Sequence, residues 1–377
     1  MKIVEISSVL LQPMPWVLVK VKTDEGIVGI GEAYHGAGVH QIAVDERLTK
    51  TLIGKNPLDV DRCFRDMMKG MSASGYYQGA VMSAISGIEM ALWDIAGQAV
   101  GVPIWQLLGG RFRDKVRVYN DCHAGEDESP AAYAAKAKEV EARGFTAIKF
   151  DIDPLPSRRD AYNRCISNDD IAHYVEVVTA VREALDSNTD LAIDAHWAYA
   201  PVDILKVAHA FEDLGLLWLE DPIPAENVEA MAMVKNSTKT PICTGENFYT
   251  RFGFRELIQS QAADIVSPDM AKAGGLGGAA DRRFRRYVLY AFGAAQYLRA
   301  DRHFCDDACL CGSAQFSRVG ISSLGQCALV GFGKRRAVDR RWAYCDRGEA
   351  WFGSDAGRGG GEGSGEGGFG IFFLKRQ

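Results

Sequence analysis

Three carboxylates recur at equal spacing along this chain: Asp194 in AIDAH, Glu220 in WLEDP and Glu246 in CTGEN. Each closes a short apolar run, and an amphipathic stretch of helical period follows each one. If the apolar runs are parallel strands of a barrel, their C-terminal ends converge on one face, so the three side chains point at a common centre. Anionic groups packed that way repel one another unless a cation lies among them. Hard oxygen donors with room left for water and substrate suit Mg2+. The alternative for each carboxylate is to cap the helix that follows, a role worth tenths to ~1 kcal/mol. A single residue would fit that role; three at the register of a repeat favour a metal site.

Other polar residues fall at the same strand ends. Lys149 and Asp151 close the run TAIKFD, and period-two alternation puts both on one side. A lysine between Ile148 and Phe150 points inward more readily than outward. His196 stands two residues after Asp194 and faces the same centre. Asp269 ends the run ADIVSPD, Asn247 follows Glu246, and His123 follows VRVYND. His123 is either a satisfied bystander or a substrate contact. A histidine titrates near neutral pH, so His196 can serve as base or acid.

The elements that must position these residues can be read from periodicity. Residues from Met1 to about Glu32 alternate as a three-stranded meander: KIVEISSVLL, then WVLVKVKT, the turn Asp24-Glu25-Gly26, and IVGIGEA. From about Val44 to Gly109 the pattern is helical; Ile85, Ile88, Leu92 and Ile95 share one face, and Gly101-Val102-Pro103 stops that helix. From Val116 six apolar runs alternate with helical stretches, which means βα units around a parallel sheet. Six in succession favour a (β/α) barrel, with a doubly wound open sheet as the alternative.

A chain of 377 residues is long enough for two domains. Hydrophobic residues at 47% and charged ones at 24% are ordinary globular composition. A formal net charge of -6 argues against nucleic acid or an anionic membrane as the partner. No apolar run approaches the ~20 residues that span a bilayer. The N-terminus alternates like a strand and has no cleavable signal, and the 9 cysteines are irregularly spaced. A reducing cytoplasm is the expected location.

Together the motifs resemble those of the enolase superfamily, in its mandelate racemase-like branch of Mg2+-dependent acid-sugar enzymes. The resemblance runs from Met1 to about Gly277 and rests on GIEMALWDIAGQAVGVPIWQLLGG, the KFD, DAH, LEDP and TGEN strand ends, and SPDMAKAGG. It implies an α/β fold in which residues 1–115 form an α+β capping domain and residues 116–277 carry barrel units one to six. It also implies Asp194, Glu220 and Glu246 as metal ligands, and catalytic roles for His196, Lys149, Asp151 and Asp269. Substrate contacts from the capping loops follow, among them Tyr34, as does homo-oligomeric assembly. The second lysine of the family's Lys-x-Lys pair is here Asp151, which weakens a two-base racemisation or epimerisation of a 2-hydroxy acid. His196 is placed as in the sugar-acid dehydratases. The implied chemistry is abstraction of a proton α to a carboxylate, with a divalent cation stabilising the resulting charge. Loss of the β-hydroxyl then gives a 2-keto-3-deoxy acid.

The resemblance ends at GGLGG. Before Gly277 the chain is acidic; after it, arginine-rich, with most of the cysteines and the low-complexity run GRGGGEGSGEGGFG. The family's seventh strand should carry a histidine partner for Asp269, and none appears in a convincing context. Back-translated and read one nucleotide later, the segment around AFGAAQYLRADRHF permits LAPHNISGPIG, with the histidine codon straddling Ala295 and Gln296. We read residues 278–377 as a frameshifted tail. The last barrel strands are then missing or replaced, and a barrel without them exposes two sheet edges. A non-catalytic frameshifted product is the remaining alternative to an enzyme.

Overall fold

The computed structural model describes residues 1–11, 16–34, 36–75, 77–110, 115–125, 127–152 and 166–279, together with the strand backbones of residues 291–294, 316–322 and 342–344. The N-terminal part begins with strands β1 (Ile3–Leu10), β2 (Val17–Thr23) and β3 (Val28–Ala33), antiparallel in the order β1-β2-β3. Gly26, at a φ of 86°, makes the turn between β2 and β3. Helices α1 (Ala37–Ala43), α2 (Glu46–Lys50), α3 (Val60–Gly70), α4 (Gly79–Val100) and α5 (Ile104–Leu107) follow.

The sheet packs on α4 at backbone distance. A Cβ on Gly31 would lie 2.0 Å from the Gly87 carbonyl oxygen, so only glycine permits this approach. Ile85, Ile88, Leu92 and Ile95 are fully buried there with Val17, Val19 and Val21 of β2. In length and hydropathy α4 could cross a membrane, but 83% of its apolar window is buried inside the protein. It is a core helix.

The second part alternates strand and helix: β4 (Lys115–Asp121), α6 (Pro130–Ala142), β5 (Ala147–Asp151), α7 (Asn168–Ala184), β6 (Asp190–Asp194), α8 (Pro201–Ala210), β7 (Leu219–Glu220), α9 (Val228–Asn236), β8 (Ile242–Thr244), α10 (Thr250–Gln259), β9 (Ile265–Val266) and α11 (Gly275–Ala279). Local chemistry sets several of these boundaries. Ser129 caps α6 with Pro130 in its first turn, and Ser167 and Asp170 form a reciprocal capping box on α7. The apolar faces of these helices close on the outer side of the sheet around Val177, Val181, Ile204, Val207 and Leu257. Inside it lie Tyr119, Ala147, Ala192, Trp218 and Cys243.

At its end the sheet shows replacement of the last barrel strands, one of the two outcomes that the sequence left open. Segments of the written tail occupy the seventh and eighth positions: β10 (Ala291–Ala294) pairs in parallel with β9, and β11 (Phe316–Ser322) pairs in parallel with both β10 and β4. The parallel ladder therefore returns to its first strand, and the two edges that missing strands would expose are covered. A further strand, β12 (Trp342–Tyr344), adds antiparallel to the start of β4. Strand pairing uses backbone groups, so a short run of varied composition can complete a ladder. The Ala295–Gln296 pair, which follows β10, lies outside the described residues.

Candidate active site

The C-terminal ends of β4 to β8 bring a dense set of charges together. Asp151 and Asp194 are the last residues of their strands and sit opposite each other in the ladder, as do Asp194 and Glu220. Lys149, two residues before Asp151, projects into the barrel. Its Nζ lies 2.5 Å from Asp194 Oδ2, 3.4 Å from Glu220 Oε2 and 3.8 Å from Asp121 Oδ2. Burial opposes its charge, but those three carboxylates outweigh burial and raise its pKa well above the ordinary lysine value. Burial likewise works against ionising Asp194, and Lys149 and His196 more than offset it, so Asp194 is lowered.

Glu220 shows the opposite balance. Burial dominates and raises it well above the usual carboxylate range, despite Lys149 and the Trp218 indole N–H that donates to Oε2 at 2.8 Å. Its Oε1 is buried without a hydrogen-bond partner. Asp221 is also raised, to about 7, by burial and by Glu246 and Asp194. The Thr244 hydroxyl donates to Asp221 Oδ1 at 2.5 Å, and Asp221 Oδ2 has no partner. Burial raises Asp121 to about 6.

After β6 the chain turns back on itself. His196 and Trp197 hold φ values of 41° and 57°, and Asp221 after β7 holds 41°, all in the left-handed region that non-glycine residues rarely adopt. Such strain persists only where surrounding contacts enforce it. Here the His196 amide donates to Asp194 Oδ1 at 3.0 Å, and the Trp197 amide donates to the Asp221 carbonyl at 2.8 Å. The His196 ring is thereby set between two carboxylates, with Nδ1 3.9 Å from Asp151 Oδ2 and Nε2 3.8 Å from Asp194 Oδ2. His123 reaches the same Asp151 oxygen at 2.9 Å, and that hydrogen bond raises its pKa.

Glu246, Asn247 and Asp269 lie on the other side of the mouth. Glu246 follows Gly245, whose φ of 156° lets the chain press against the Ser267 backbone. Its Oε1 is 3.8 Å from Lys272 Nζ. Asn247 is half-buried in the turn beside it. Asp269 is buried, and its Oδ1 accepts from the Ala271 amide at 2.9 Å. Tyr34, from the N-terminal part, places its ring 4.4 Å from Lys272 Nζ.

The structure thus brings Asp194, Glu220, Lys149, Asp151, His196 and His123 into one cluster. Glu246 is turned toward Lys272. Among the described residues, the groups whose ligand atoms lie within 4.8 Å of one another are Asp121–His123–Asp151 and Asp151–Asp194–His196. The acidic cluster can hold a metal. Oxygen-rich donors, with buried oxygens on Glu220, Asp221 and Asp151 lacking hydrogen-bond partners, fit a hard divalent cation. Three participants were missed in the sequence. Asp121 ends VRVYND as Asp194 ends AID, so the strand-end rule already applied would have found it. Asp221 lies beside Glu220 and on strict alternation should face away. Lys272 sits in an irregular turn that carries no periodic signal.

Comparison with known proteins agrees with this geometry. Residues 2–109 match the mandelate racemase/muconate lactonizing enzyme N-terminal domain, and residues 132–282 match the enolase C-terminal domain-like family. The chain is 46% identical over 264 residues to a D-xylonate dehydratase of Haloferax volcanii, a match covering 70% of this chain and 64% of that protein. It is 34% identical to a D-galactonate dehydratase of Variovorax paradoxus, over 73% of this chain and 69% of the relative. The crystal structure of a mandelate racemase/muconate lactonizing enzyme-like protein from Rubrobacter xylanophilus superposes with a TM-score of 0.81 at 37% identity, covering 86% of this chain and 87% of that one. Two domain matches in the family's order, with charged strand ends converging on one mouth, lead to one assignment: the chain belongs to the mandelate racemase/muconate lactonizing enzyme family of the enolase superfamily.

Proposed function

We propose that this protein dehydrates a sugar acid of the aldonate class to a 2-keto-3-deoxy acid in a Mg2+-dependent reaction. The observation that carries the reading is His196, fixed by a strained backbone between Asp151 and Asp194 at the end of β6. The relatives named D-xylonate and D-galactonate dehydratase support the substrate class. Asp194, Glu220 and Glu246 would hold the cation, which when bound supplies Lewis-acid stabilisation of charge developing on the substrate carboxylate.

This chain's residues account for the rest. Lys149 keeps its proton and balances the carboxylates of Asp194, Glu220 and Asp121. His196 holds a proton for the departing β-hydroxyl, or accepts one if the substrate binds in the opposite sense. Asp151 orients both His196 and His123, and being a carboxylate it does not supply the lysine base that racemisation would use on that side. On this reading Asp269 would pair with a histidine of the family's seventh strand. We infer that this histidine is displaced from the reading frame near Gly277; the family match ending at residue 282 supports that inference. The change from one family domain to the other between residues 109 and 132 supports our division at about residue 115. A cytoplasmic location and homo-oligomeric assembly go with this reading.

The test is to incubate the full chain with D-xylonate or D-galactonate, in Mg2+ and in EDTA, and to follow 2-keto acid as its semicarbazone. Keto acid formed only with Mg2+, at a very low rate in the written frame and readily once the tail is in the frame shifted by one nucleotide, is the expected result. Inverted configuration without keto acid would replace dehydration by epimerisation.

A further inference from the structure

We propose that Lys272 is a positioning residue that pins the capping-domain residue Tyr34 over the barrel mouth through the face of the Tyr34 ring. The proposal rests on the reading that this mouth takes the sugar acid. It goes further by giving Lys272 a role and by assigning Tyr34's part to its ring. Lys272 follows β9 in a turn closed by its own backbone: the Lys272 and Ala273 amides both donate to the Asp269 carbonyl, at 3.0 and 2.8 Å. That turn is tied to the start of α10, where the Thr250 amide donates to the Ala273 carbonyl at 3.0 Å. The side chain is therefore launched from a fixed backbone.

Its surroundings are the seam between the two parts of the molecule. Met270, Ala271 and Leu276 form one buried apolar cluster with Met90 and Ile104, and Tyr34 packs against it. A seam of this kind closes without any charge, and a buried cation is costly unless paired. Yet Lys272 is only 6% exposed, with Glu246 Oε1 at 3.8 Å on one side and the Tyr34 ring centroid at 4.4 Å on the other. A desolvated ammonium is attracted to the negative face of an aromatic ring, more strongly than it would be in water. Glu246 belongs to the barrel and Tyr34 to the capping domain, so the cation bridges the two parts. Tyr34 directly follows β3 and opens the connection to α1. Fixing its ring fixes the start of that connection above the mouth.

The test combines hydrogen exchange over residues 33–39 in the full chain with kinetics on D-xylonate in the same chain carrying its tail in the frame shifted by one nucleotide. Lys272→Met and Tyr34→Leu should each speed exchange in that segment about tenfold, the scale of one desolvated cation–ring contact. The double variant should be no faster than either single one. Both substitutions should raise KM about tenfold with little change in kcat, because the contact positions a wall of the site and touches no reacting atom. Lys272→Arg, which also stacks on rings, should restore slow exchange and KM, and Tyr34→Phe should keep slow exchange. Fast exchange in Tyr34→Phe, additive effects in the double variant, or unaltered exchange in Lys272→Met would each overturn the proposal. Absence of any turnover of D-xylonate by the unsubstituted chain carrying its tail in the frame shifted by one nucleotide would remove the substrate reading instead, and the exchange measurements would then decide this proposal alone.

Discussion

Lys149 and Asp194 form an ion pair of 2.5 Å between neighbouring strands, with their side chains only 6% and 2% exposed. Glu220 lies within 3.4 Å of the same ammonium, so one lysine compensates two buried carboxylates. Breaking a buried pair by removing one partner costs about 3–5 kcal/mol, because the other charge is left stranded. Lys149→Met should therefore lose about that much stability to urea in EDTA, and clearly less in saturating Mg2+, where a bound cation takes over the compensation. Equal losses in both conditions would mean that Mg2+ does not reach these carboxylates.

Metal binding gives a second expectation. A cation that binds only the folded state adds RT ln(1+[L]/Kd), about 2.7 kcal/mol at a hundredfold excess over Kd. Calorimetry of the unsubstituted chain should show a Mg2+-dependent rise in Tm, and Glu220→Gln should abolish it. The same rise in that variant would remove Glu220 from the site.

His196 and the tail can be tested together. In the written frame, turnover should be very low and His196→Asn should change it little, because on our reading the family's seventh-strand histidine is out of frame. In a variant carrying the tail in the frame shifted by one nucleotide, turnover should appear, and His196→Asn should then lower kcat by ~10²–10⁴-fold, the usual worth of general acid–base catalysis. Mg2+ affinity should be the same in both. Robust turnover by the written chain, its mass verified, would show that the shifted histidine is not required.

A pH dependence follows from the seam between the domains. Glu89 of α4 accepts hydrogen bonds from the Leu276 and Gly277 amides at 2.9 and 2.8 Å and from the Trp93 indole at 2.7 Å. A Cβ on Gly275 would lie 2.0 Å from its Oε2, so the chain passes there only as glycine. Burial outweighs these donors and pushes Glu89 up from 4.5 to about 7, with the Asp61 charge adding to the rise. The folded state thus holds this proton more tightly than the unfolded chain does. Its contribution is present in full below pH 4.5, falls as the pH rises, and is gone above about 7, a loss on the order of 3 kcal/mol. Asp121 and Asp221, also raised, add to the slope in the same direction. The difference in urea stability between the unsubstituted chain and Glu89→Gln, followed from pH 4.5 to 7, should carry the Glu89 part. A difference that is flat across that window would show that Glu89 does not titrate there.

Much of the fold was legible before any coordinates. The six apolar runs from VRVYND to ADIVSPD became β4 to β9, and the meander became β1 to β3, because period-two alternation and buried apolar runs are local properties. The strand-end rule also placed Lys149, Asp151 and Asp194 on one face, since parallel strands in register align their last residues. The same rule, applied to Asp121, would have added it.

What the sequence by itself determined, then, is which residues end strands and which helices cover them, since hydrophobic period and capping chemistry act over a few residues. Only the tertiary structure decided which charges face one another. Glu246 is equally spaced after Glu220, and while its charge bears on Asp221 its carboxylate also meets Lys272, a residue of an irregular turn with no periodic signature. His196 aims between two carboxylates because its backbone is held in the left-handed region by the hydrogen bonds that the His196 and Trp197 amides donate to Asp194 Oδ1 and the Asp221 carbonyl. The closing of the sheet by β10 and β11 was decided at that level too: backbone pairing rewards any chain that reaches the open edge, whatever frame encoded it.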